Sequence, residues 1–157
     1  MKSATVPIGS PAPAFTLIAT DGNPRDLGQF AGAKLVLIFY RGHWCGACRG
    51  HLEQVRDLHQ SLCDVGAAVL AISSETFDEA RAGTEKHAIP FIVLSDPDLA
   101  VIDRYGVRDP DESEGRPISR PAIFIIDHTG IVRFAHVGEH PRDRHSLDLV
   151  LLALETI

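Results

Sequence analysis

The sequence predicts an α/β fold in which a central mixed β-sheet is flanked by helices. Three features lead to this prediction: continuous apolar runs that suit buried strands, segments with apolar residues at helical spacing, and the alternation of the two along the chain. The chain has 157 residues, which is a usual length for one domain. We therefore expect a single domain over residues 1–157.

The first half of the chain is expected to hold a hairpin and a βαβ unit. The segment AFTLIAT (14–20), followed by the turn DGNP, predicts a short strand and a hairpin. The segments KLVLIFY (34–40) and AAVLAIS (67–73) are apolar enough to form fully buried strands. Between them, apolar residues at helical spacing predict a helix over 48–62. Because such crossovers are right-handed, the two strands should be parallel neighbours.

The second half continues the alternation. The predicted elements are a helix over Thr76 to His87, a strand over 91–94, a helix over Asp98 to Tyr105, an antiparallel hairpin of 122–127 with 131–137, and a closing helix over 146–154. The residues SDPD are expected to cap and open the second of these helices. The charged segment 106–121 is expected to be a solvated loop.

Composition and charge restrict the class of partner. The sequence has 15 Lys and Arg against 21 Asp and Glu, a formal net charge of −6 at pH 7. Nucleic acids and anionic membranes select clustered Lys and Arg, and the sequence has no such cluster. The N-terminal residues lack the apolar region of a secretory signal, and the longest apolar run, Leu35 to Tyr40, is too short to cross a bilayer. We therefore expect a cytoplasmic protein that binds neither nucleic acid nor membrane.

The stretch FYRGHWCGACRGHL, residues 39–52, carries the clearest chemical signal, because Cys45 and Cys48 form a C-x-x-C pattern between a predicted strand and a predicted helix. In a reducing compartment this pattern indicates redox or metal chemistry rather than a structural disulfide framework. A structural zinc site needs about four ligands, typically two such pairs. The sequence has one pair, and Cys63 is expected to be a packing residue. We therefore predict no metal.

The predicted position of the pair favours a reactive thiolate. In the first turn of a helix, unpaired N–H groups and the positive end of the helix dipole stabilise a thiolate. Cys45 and Cys48 share one helical face, so either sulfur can resolve an intermediate formed by the other. Arg41 and Arg49 add positive potential. His43 can hydrogen-bond a thiolate, but a loop histidine has no forced partner, so we expect it to point to solvent.

Segments along nearly the whole chain also resemble one protein family. They include IGSPAPAFTL, LVLIFYRGHWCGAC, AISSE, LSDPD and RPAIFIIDHTGIVR. WCGAC is similar to the thioredoxin W-C-x-x-C signature, and the extended match resembles the peroxiredoxin branch of that superfamily, the alkyl hydroperoxide reductase and thiol-specific antioxidant family. The resemblance implies a thioredoxin fold with an N-terminal β-hairpin extension, a hydroperoxide substrate and a thioredoxin-like dithiol reductant. It implies no cofactor and is compatible with a homodimer.

The family's site residues can be carried over by the peroxiredoxin pattern Pro-x-x-x-Thr/Ser-x-x-Cys. The peroxidatic cysteine of that pattern falls on Cys48. Its proline, its threonine and a later helix glutamate fall on Arg41, Cys45 and His51. The resemblance to peroxiredoxins therefore implies that Cys48 attacks the peroxide.

The thioredoxin pattern gives a different assignment. In that pattern Cys45 is the attacking cysteine, Cys48 is the resolving one, and Pro121 matches a cis-proline that faces the pair. Thioredoxin's buried acid falls on Phe39. In peroxiredoxins an arginine precedes the strand that corresponds to AIFIID (122–127). That arginine also falls on Pro121, with Arg120 one residue earlier. Which sulfur attacks first therefore stays open at the level of sequence.

The leading hypothesis is a thiol peroxidase. One cysteine of the pair attacks the O–O bond of a hydroperoxide, becomes a sulfenic acid and condenses with the other cysteine to a disulfide. A thioredoxin-like donor then reduces this disulfide. Arg41 and Arg120 are candidates to stabilise the thiolate and the leaving oxygen.

Two alternatives stay open. A protein-disulfide reductase is favoured by Trp44, expected to form a wall beside the cysteines, by the complete C-x-x-C and by Pro121. A redox-sensing or binding module would dock a partner on the acidic loop Asp109 to Glu114, although a solvated surface is the simpler explanation of that loop. Three further histidines have no recognised ligand spacing and are expected at the surface: His136, His140 and His145.

Overall fold

A mixed β-sheet forms the centre of the protein. The computed structural model describes residues 5–157 except residues 112 and 114. Its strands are β1 (Thr16–Ala19), β2 (Pro24–Asp26), β3 (Lys34–Phe39), β4 (Ala67–Ser73), β5 (Ile92–Ser95), β6 (Ala122–Ile126) and β7 (Val132–Val137). Their order across the sheet is β2-β1-β5-β4-β3-β6-β7. β4 pairs in parallel with β3 and β5, and the other neighbouring pairs are antiparallel.

Helices cover both faces of this sheet. In the described chain they are α1 (Gly46–Asp64), α2 (Phe77–Lys86), α3 (Ala100–Arg104) and α4 (Leu147–Glu155). Residues of α1, α2 and α4 share one apolar core with both cysteines of the C-x-x-C pair, whereas α3 and Phe15 belong to the core on the other face. Alternation along β3 explains the two cores, because Val36 and Ile38 belong to the first while Leu35 and Leu37 belong to the second. None of these described helices has the length and apolar character needed to span a membrane.

The predicted order of strands and helices is confirmed. β3 and β4 are parallel neighbours joined through α1, with Phe39 opposite Ile72 at their ends. The predicted hairpins are β1 with β2 and β6 with β7. α2 follows Thr76, whose hydroxyl accepts a hydrogen bond from the Glu79 amide while the Glu79 carboxylate accepts one from the Thr76 amide. This reciprocal cap explains why α2 begins where the sequence predicts.

The start of α3 differs from the prediction. The helix begins at Ala100 rather than Asp98, because Leu99 adopts a left-handed backbone conformation with φ of 59°. Asp96 nevertheless acts as a cap: its Oδ2 accepts hydrogen bonds from the amides of Val101 at 3.0 Å and Ile102 at 2.8 Å. The capping carboxylate was therefore predicted correctly, and the first helical residue was not.

The charged loop between α3 and β6 is not solvated throughout. Val107 and Ile118, near its two ends, are buried. Arg116 donates two hydrogen bonds to the carboxylate of Glu79 on α2. The expectation of a fully solvated loop is therefore wrong for these flanks. Two acidic positions of the predicted docking segment, 112 and 114, lie outside the described residues, so its docking role stays a prediction.

α2 carries an interior glycine where it crosses the loop that precedes α1. Glycine in the middle of a helix costs about 0.5–1 kcal/mol relative to alanine, so helix propensity does not favour it. A Cβ on Gly83 would lie 2.2 Å from Cγ of the His43 ring, and this close approach accounts for the glycine. In α1, by contrast, a Cβ on Gly50 would meet no atom within 4 Å.

We expect Gly83→Ala to lower the free energy of unfolding of the reduced protein by about 1–2 kcal/mol. Overpacking of a close-packed site costs about 1–3 kcal/mol, which exceeds the gain in helix propensity of up to about 1 kcal/mol. Gly50→Ala is the matched control and should raise the free energy of unfolding, because only the propensity gain applies. Urea unfolding measures both variants, and equal effects would contradict the packing role of Gly83.

Candidate active site

The cysteine pair lies between the end of β3 and the start of α1. β3 is held on both sides, with Phe39 opposite Ile72 of β4 and Ala122 of β6. Cys45 is the N-cap residue of α1. Its sulfur accepts a hydrogen bond from the Cys48 amide at 3.4 Å, where helices usually employ a hydroxyl or carboxylate oxygen. Cys45 therefore occupies the helix N-terminus that the sequence predicts.

Cys45 is surrounded by donors that favour its thiolate. The thiol of Cys48 donates to its sulfur, as do the Cys48 amide and Nη1 of Arg41 at 3.6 Å. Together these donors lower the pKa of Cys45 to about 5, and the hydrogen bond from the Cys48 thiol has the largest effect. Burial acts in the opposite direction and raises the pKa, but its effect is smaller. At neutral pH the Cys45 sulfur is therefore a thiolate.

Cys48 is fully buried and holds its proton while Cys45 is ionised. Its hydrogen bond to Cys45, and then its burial, raise the pKa of Cys48 well above the ordinary value. Two donors act in the opposite direction: Nη2 of Arg144 lies 2.9 Å from the Cys48 sulfur, and the amide of Arg41 lies 3.4 Å from it. The two cysteines titrate as a unit, and the first proton to leave is that of Cys45.

Arg41, whose guanidinium contacts Cys45, packs against Trp44. Trp44 has 46% of its surface exposed, and the guanidinium carbon of Arg41 lies 5.0 Å from the centroid of its ring. Gly42 permits this arrangement, because a Cβ there would lie 2.2 Å from Nε1 of Trp44. Both side chains line a cavity of about 180 Å³. Its other lining residues are Ser74, Glu75, Ser113, Arg116 and Ile118.

His43 is buried, so the expectation that it points to solvent is wrong. Its Nδ1 lies 2.9 Å from Oε1 of Glu75 and can donate to that carboxylate, which also accepts a hydrogen bond from the Ser73 hydroxyl at 3.1 Å. Nη1 of Arg49 donates to the His43 carbonyl at 3.1 Å. These contacts hold the backbone that precedes Cys45 from two sides. Within the described chain the His43 ring makes no hydrogen bond to either sulfur.

Arg120 and Pro121 immediately precede β6, but neither has the geometry that the family patterns suggest. The peptide bond between them is trans, so Pro121 does not have the cis geometry of the thioredoxin pattern. The buried Arg120 side chain directs Nη2 toward Oε2 of Glu139 at 3.7 Å. Among the described residues Arg120 donates to neither sulfur, and its action on the thiolate stays a prediction.

Sequence reasoning missed the roles of Arg144 and Glu75. It identified His51 only as the residue at the position of the family's glutamate. Arg144 lies 96 residues from Cys48 in no recognised motif, so only the fold brings it to the sulfur. Glu75 follows a buried strand, where a carboxylate at the sheet's end is a usable signal. His51, which takes the place of the family's glutamate, is buried, and its Nδ1 has no partner among the described residues. Burial, with the nearby Arg144 charge, lowers the pKa of His51 to about 4, so its ring is neutral at pH 7.

The three C-terminal histidines make contacts within the protein. Nε2 of His136 lies 2.9 Å from Oδ1 of Asp143, and the His136 ring lies 5.5 Å from the His145 ring. His140 is exposed, whereas His136 and His145 are half-buried and so differ from the expected surface position. In the part of the chain that the structure describes, no group of three or more His, Cys, Asp or Glu side chains could hold a metal ion.

Proteins of similar sequence carry the names peroxiredoxin and alkyl hydroperoxide reductase. The chain is 29% identical over 154 residues to the chloroplastic peroxiredoxin Q of Sedum lineare, which covers 98% of this chain and 81% of that protein. It is 32% identical over 135 residues to alkyl hydroperoxide reductase E of Mycobacterium bovis, covering 84% and 86% respectively. A putative peroxiredoxin bcp of Coxiella burnetii is 29% identical over 130 residues, covering 82% and 86%.

Solved structures are similar to this chain in fold, and a family model matches most of its sequence. Peroxidoxin BcpB from Mycobacterium tuberculosis superposes with a TM-score of 0.84 at 25% identity, over 96% of this chain and 97% of that one. AhpC from Mycobacterium tuberculosis, at 20% identity over 98% and 93%, has a TM-score of 0.85 and supports the fold alone. The expected thioredoxin-type α/β fold is thereby confirmed. Since the model of the AhpC/TSA family matches residues 8–135, the chain belongs to the AhpC/TSA family.

Proposed function

We propose that this protein is a thiol peroxidase in which Cys45 attacks the hydroperoxide and Cys48 resolves the product. The observation that carries the proposal is the Cys45 sulfur at the N-cap of α1, where it accepts from the Cys48 amide and lies 3.6 Å from Nη1 of Arg41. These donors and the Cys48 thiol lower the pKa of Cys45. Membership of the AhpC/TSA family and relatives named as peroxiredoxins support peroxide as the substrate class.

The first step forms the sulfenic acid. The Cys45 thiolate attacks the terminal oxygen of the hydroperoxide, an S–O bond forms, and the O–O bond breaks. The leaving alkoxide takes up a proton and departs as an alcohol, or as water when the substrate is hydrogen peroxide. The guanidinium of Arg41, already within 3.6 Å of the attacking sulfur, is suited to stabilise negative charge on the peroxide oxygens. Arg120 directs Nη2 toward Glu139 at 3.7 Å, and its part in this step stays a prediction.

The second step closes the disulfide, and the third restores the dithiol. Cys48 attacks the sulfur of the Cys45 sulfenic acid, and the oxygen leaves as water. A dithiol protein of the thioredoxin type then exchanges with the disulfide and is itself oxidised. The exposed ring of Trp44 gives such a donor a surface beside Cys45. We place this cycle in the cytoplasm, and a homodimer stays a prediction that light scattering in solution can test.

A protein-disulfide reductase is the second candidate function. The observation that favours it is the exposed Trp44 beside a complete C-x-x-C pair. The trans bond before Pro121 weakens it, since the cis-proline of the thioredoxin pattern is missing. Insulin-disulfide reduction, run beside peroxide consumption with one preparation, separates the two functions. Activity on insulin alone would favour the reductase.

Trapping of the sulfenic acid identifies the attacking sulfur. In a Cys63→Ser background, which removes the exposed third thiol, peroxide followed by a dimedone probe should label Cys45 in the Cys48→Ser variant. The Cys45→Ser variant should give no adduct. Peptide mass spectrometry locates the label. An adduct only on Cys48 would reverse the assignment, and no adduct in either variant would contradict the peroxidase function.

The rate of Cys45 oxidation should rise with pH around the Cys45 pKa of about 5 and be level at neutral pH. The sign follows from the thiolate being the nucleophile, since protonation below this pKa removes it. Cys48→Ala deletes the thiol whose hydrogen bond lowers the pKa of Cys45 most, so the rise in oxidation rate should move to higher pH. Cys48→Ser keeps a hydroxyl donor and should move it less. Stopped-flow oxidation across the acid and neutral range measures this, and identical profiles for the two variants would contradict the role of the Cys48 thiol.

A further inference from the structure

The loop between β7 and α4 brings a cation to the buried sulfur. Nη2 of Arg144 lies 2.9 Å from Sγ of Cys48, while Nε of the same guanidinium donates to the Pro141 carbonyl at 2.9 Å. Arg144 thus contacts Cys48, whereas the Arg41 guanidinium contacts Cys45. Among the described residues, Arg144 is the side-chain cation that hydrogen-bonds to Cys48.

The residue before Arg144 folds this loop. The carboxylate of Asp143 accepts a hydrogen bond from the Glu139 amide at 2.8 Å and lies 2.9 Å from Nε2 of His136 on β7. The amide of Asp143 donates to the His140 carbonyl at 3.0 Å. These contacts close the loop over residues 139–143, and Arg144 projects from its end.

We propose that Arg144 is the catalytic residue of the resolving step, which it serves by stabilising the Cys48 thiolate, and that Asp143 is the positioning residue that holds Arg144 there. This inference rests on the proposed peroxidase function and assigns a role that neither the family pattern nor the sequence motif supplies.

Transfer of the negative charge from one sulfur to the other supports this role. While Cys45 is a thiolate, it accepts the Cys48 proton in a hydrogen bond, and Cys48 stays protonated. Once Cys45 carries an oxygen atom, that strong acceptor is lost. The groups that still face the Cys48 sulfur are the Arg144 guanidinium and the Arg41 amide, and both are donors. A charge-assisted hydrogen bond from guanidinium to sulfur then favours the Cys48 thiolate.

The resolving step balances without an outside reagent. Cys48 loses its proton, and its thiolate attacks the sulfur of the Cys45 sulfenic acid. The S–S bond forms as the S–O bond breaks, and the departing hydroxide combines with the proton that Cys48 released to give water. The peroxide consumed in the first step is the oxidant for both steps, the formation of the sulfenic acid and of the disulfide.

Arg144→Gln tests the proposal, with Arg142→Gln as the matched control because Arg142 is an exposed arginine of the same loop. Trp44 is the one tryptophan in the sequence, so its fluorescence reports oxidation of the neighbouring pair in stopped flow. The first phase, which depends on peroxide concentration, should be unchanged in both variants. The second phase, which does not, should be about tenfold slower in Arg144→Gln. This factor combines a loss of roughly ten- to a hundredfold in thiolate population with a partly compensating rise in nucleophilicity.

The pH profile separates an electrostatic role from a structural one. At alkaline pH Cys48 ionises without help, so the second phase of Arg144→Gln should reach or exceed the wild-type rate, and Arg144→Lys should fall between them at neutral pH. The titratable and charged groups that face Cys48 or act on its ionisation are Arg41, Arg144, Cys45 and Tyr40, with His51 one turn later on α1. A constant ratio of rates at all pH values would overturn the proposal.

A double-mutant cycle tests the positioning role of Asp143. Asp143→Ala should slow the second phase in the wild-type background and have no further effect in the Arg144→Gln background, because it acts through Arg144. Additive effects would overturn this part of the proposal.

A normal second phase in Arg144→Gln, or an equal slowing in Arg142→Gln, would overturn the role of Arg144. If the first phase is missing from the wild-type protein, the proposed function itself has failed.

Discussion

The hydrogen bond from the Cys48 thiol to the Cys45 sulfur is the interaction on which the rest of the site depends. It exists because β3 ends and α1 begins at this pair, so that the N-cap sulfur and the sulfur one helical turn later lie side by side. Two adjacent thiolates in a buried site would repel each other, and the shared proton avoids this. The bond thereby decides which sulfur is charged first, and each arginine then serves the sulfur nearest to it.

The protein holds this pair with buried polar contacts as well as apolar packing. Leaving a buried polar group without its hydrogen-bond partner typically costs about 1–3 kcal/mol, so the buried His43 and Glu75 side chains, 2.9 Å apart, constrain the loop before Cys45. Gly83 leaves the space that the His43 ring fills. In a chain whose formal net charge is −6, Arg41 and Arg144 also create a local positive potential that favours anionic sulfur.

The sequence predicted the parts of this structure that depend on local pattern. The strand and helix order follows from apolar periodicity, and α2 begins beside Thr76, where the sequence predicts a helix. Burial of His43 could not be predicted in the same way, because it requires Glu75 after another strand and Gly83 in a later helix. The contact of Arg144 with Cys48 depends on how a long loop folds, which no periodic pattern specifies. The match of Pro121 to the cis-proline of thioredoxin rests on sequence position alone, and the bond before Pro121 is trans.

The proposed peroxidase cycle converts one hydroperoxide into one disulfide between Cys45 and Cys48 of the same chain. Intact-mass spectrometry of the reduced protein after one equivalent of peroxide, without added reductant, tests it most directly. We expect a single chain lighter by two hydrogen atoms, with peptide mapping that joins Cys45 to Cys48 and leaves Cys63 as a free thiol. A stable product heavier by one oxygen atom, or a dimer linked through Cys63, would contradict it.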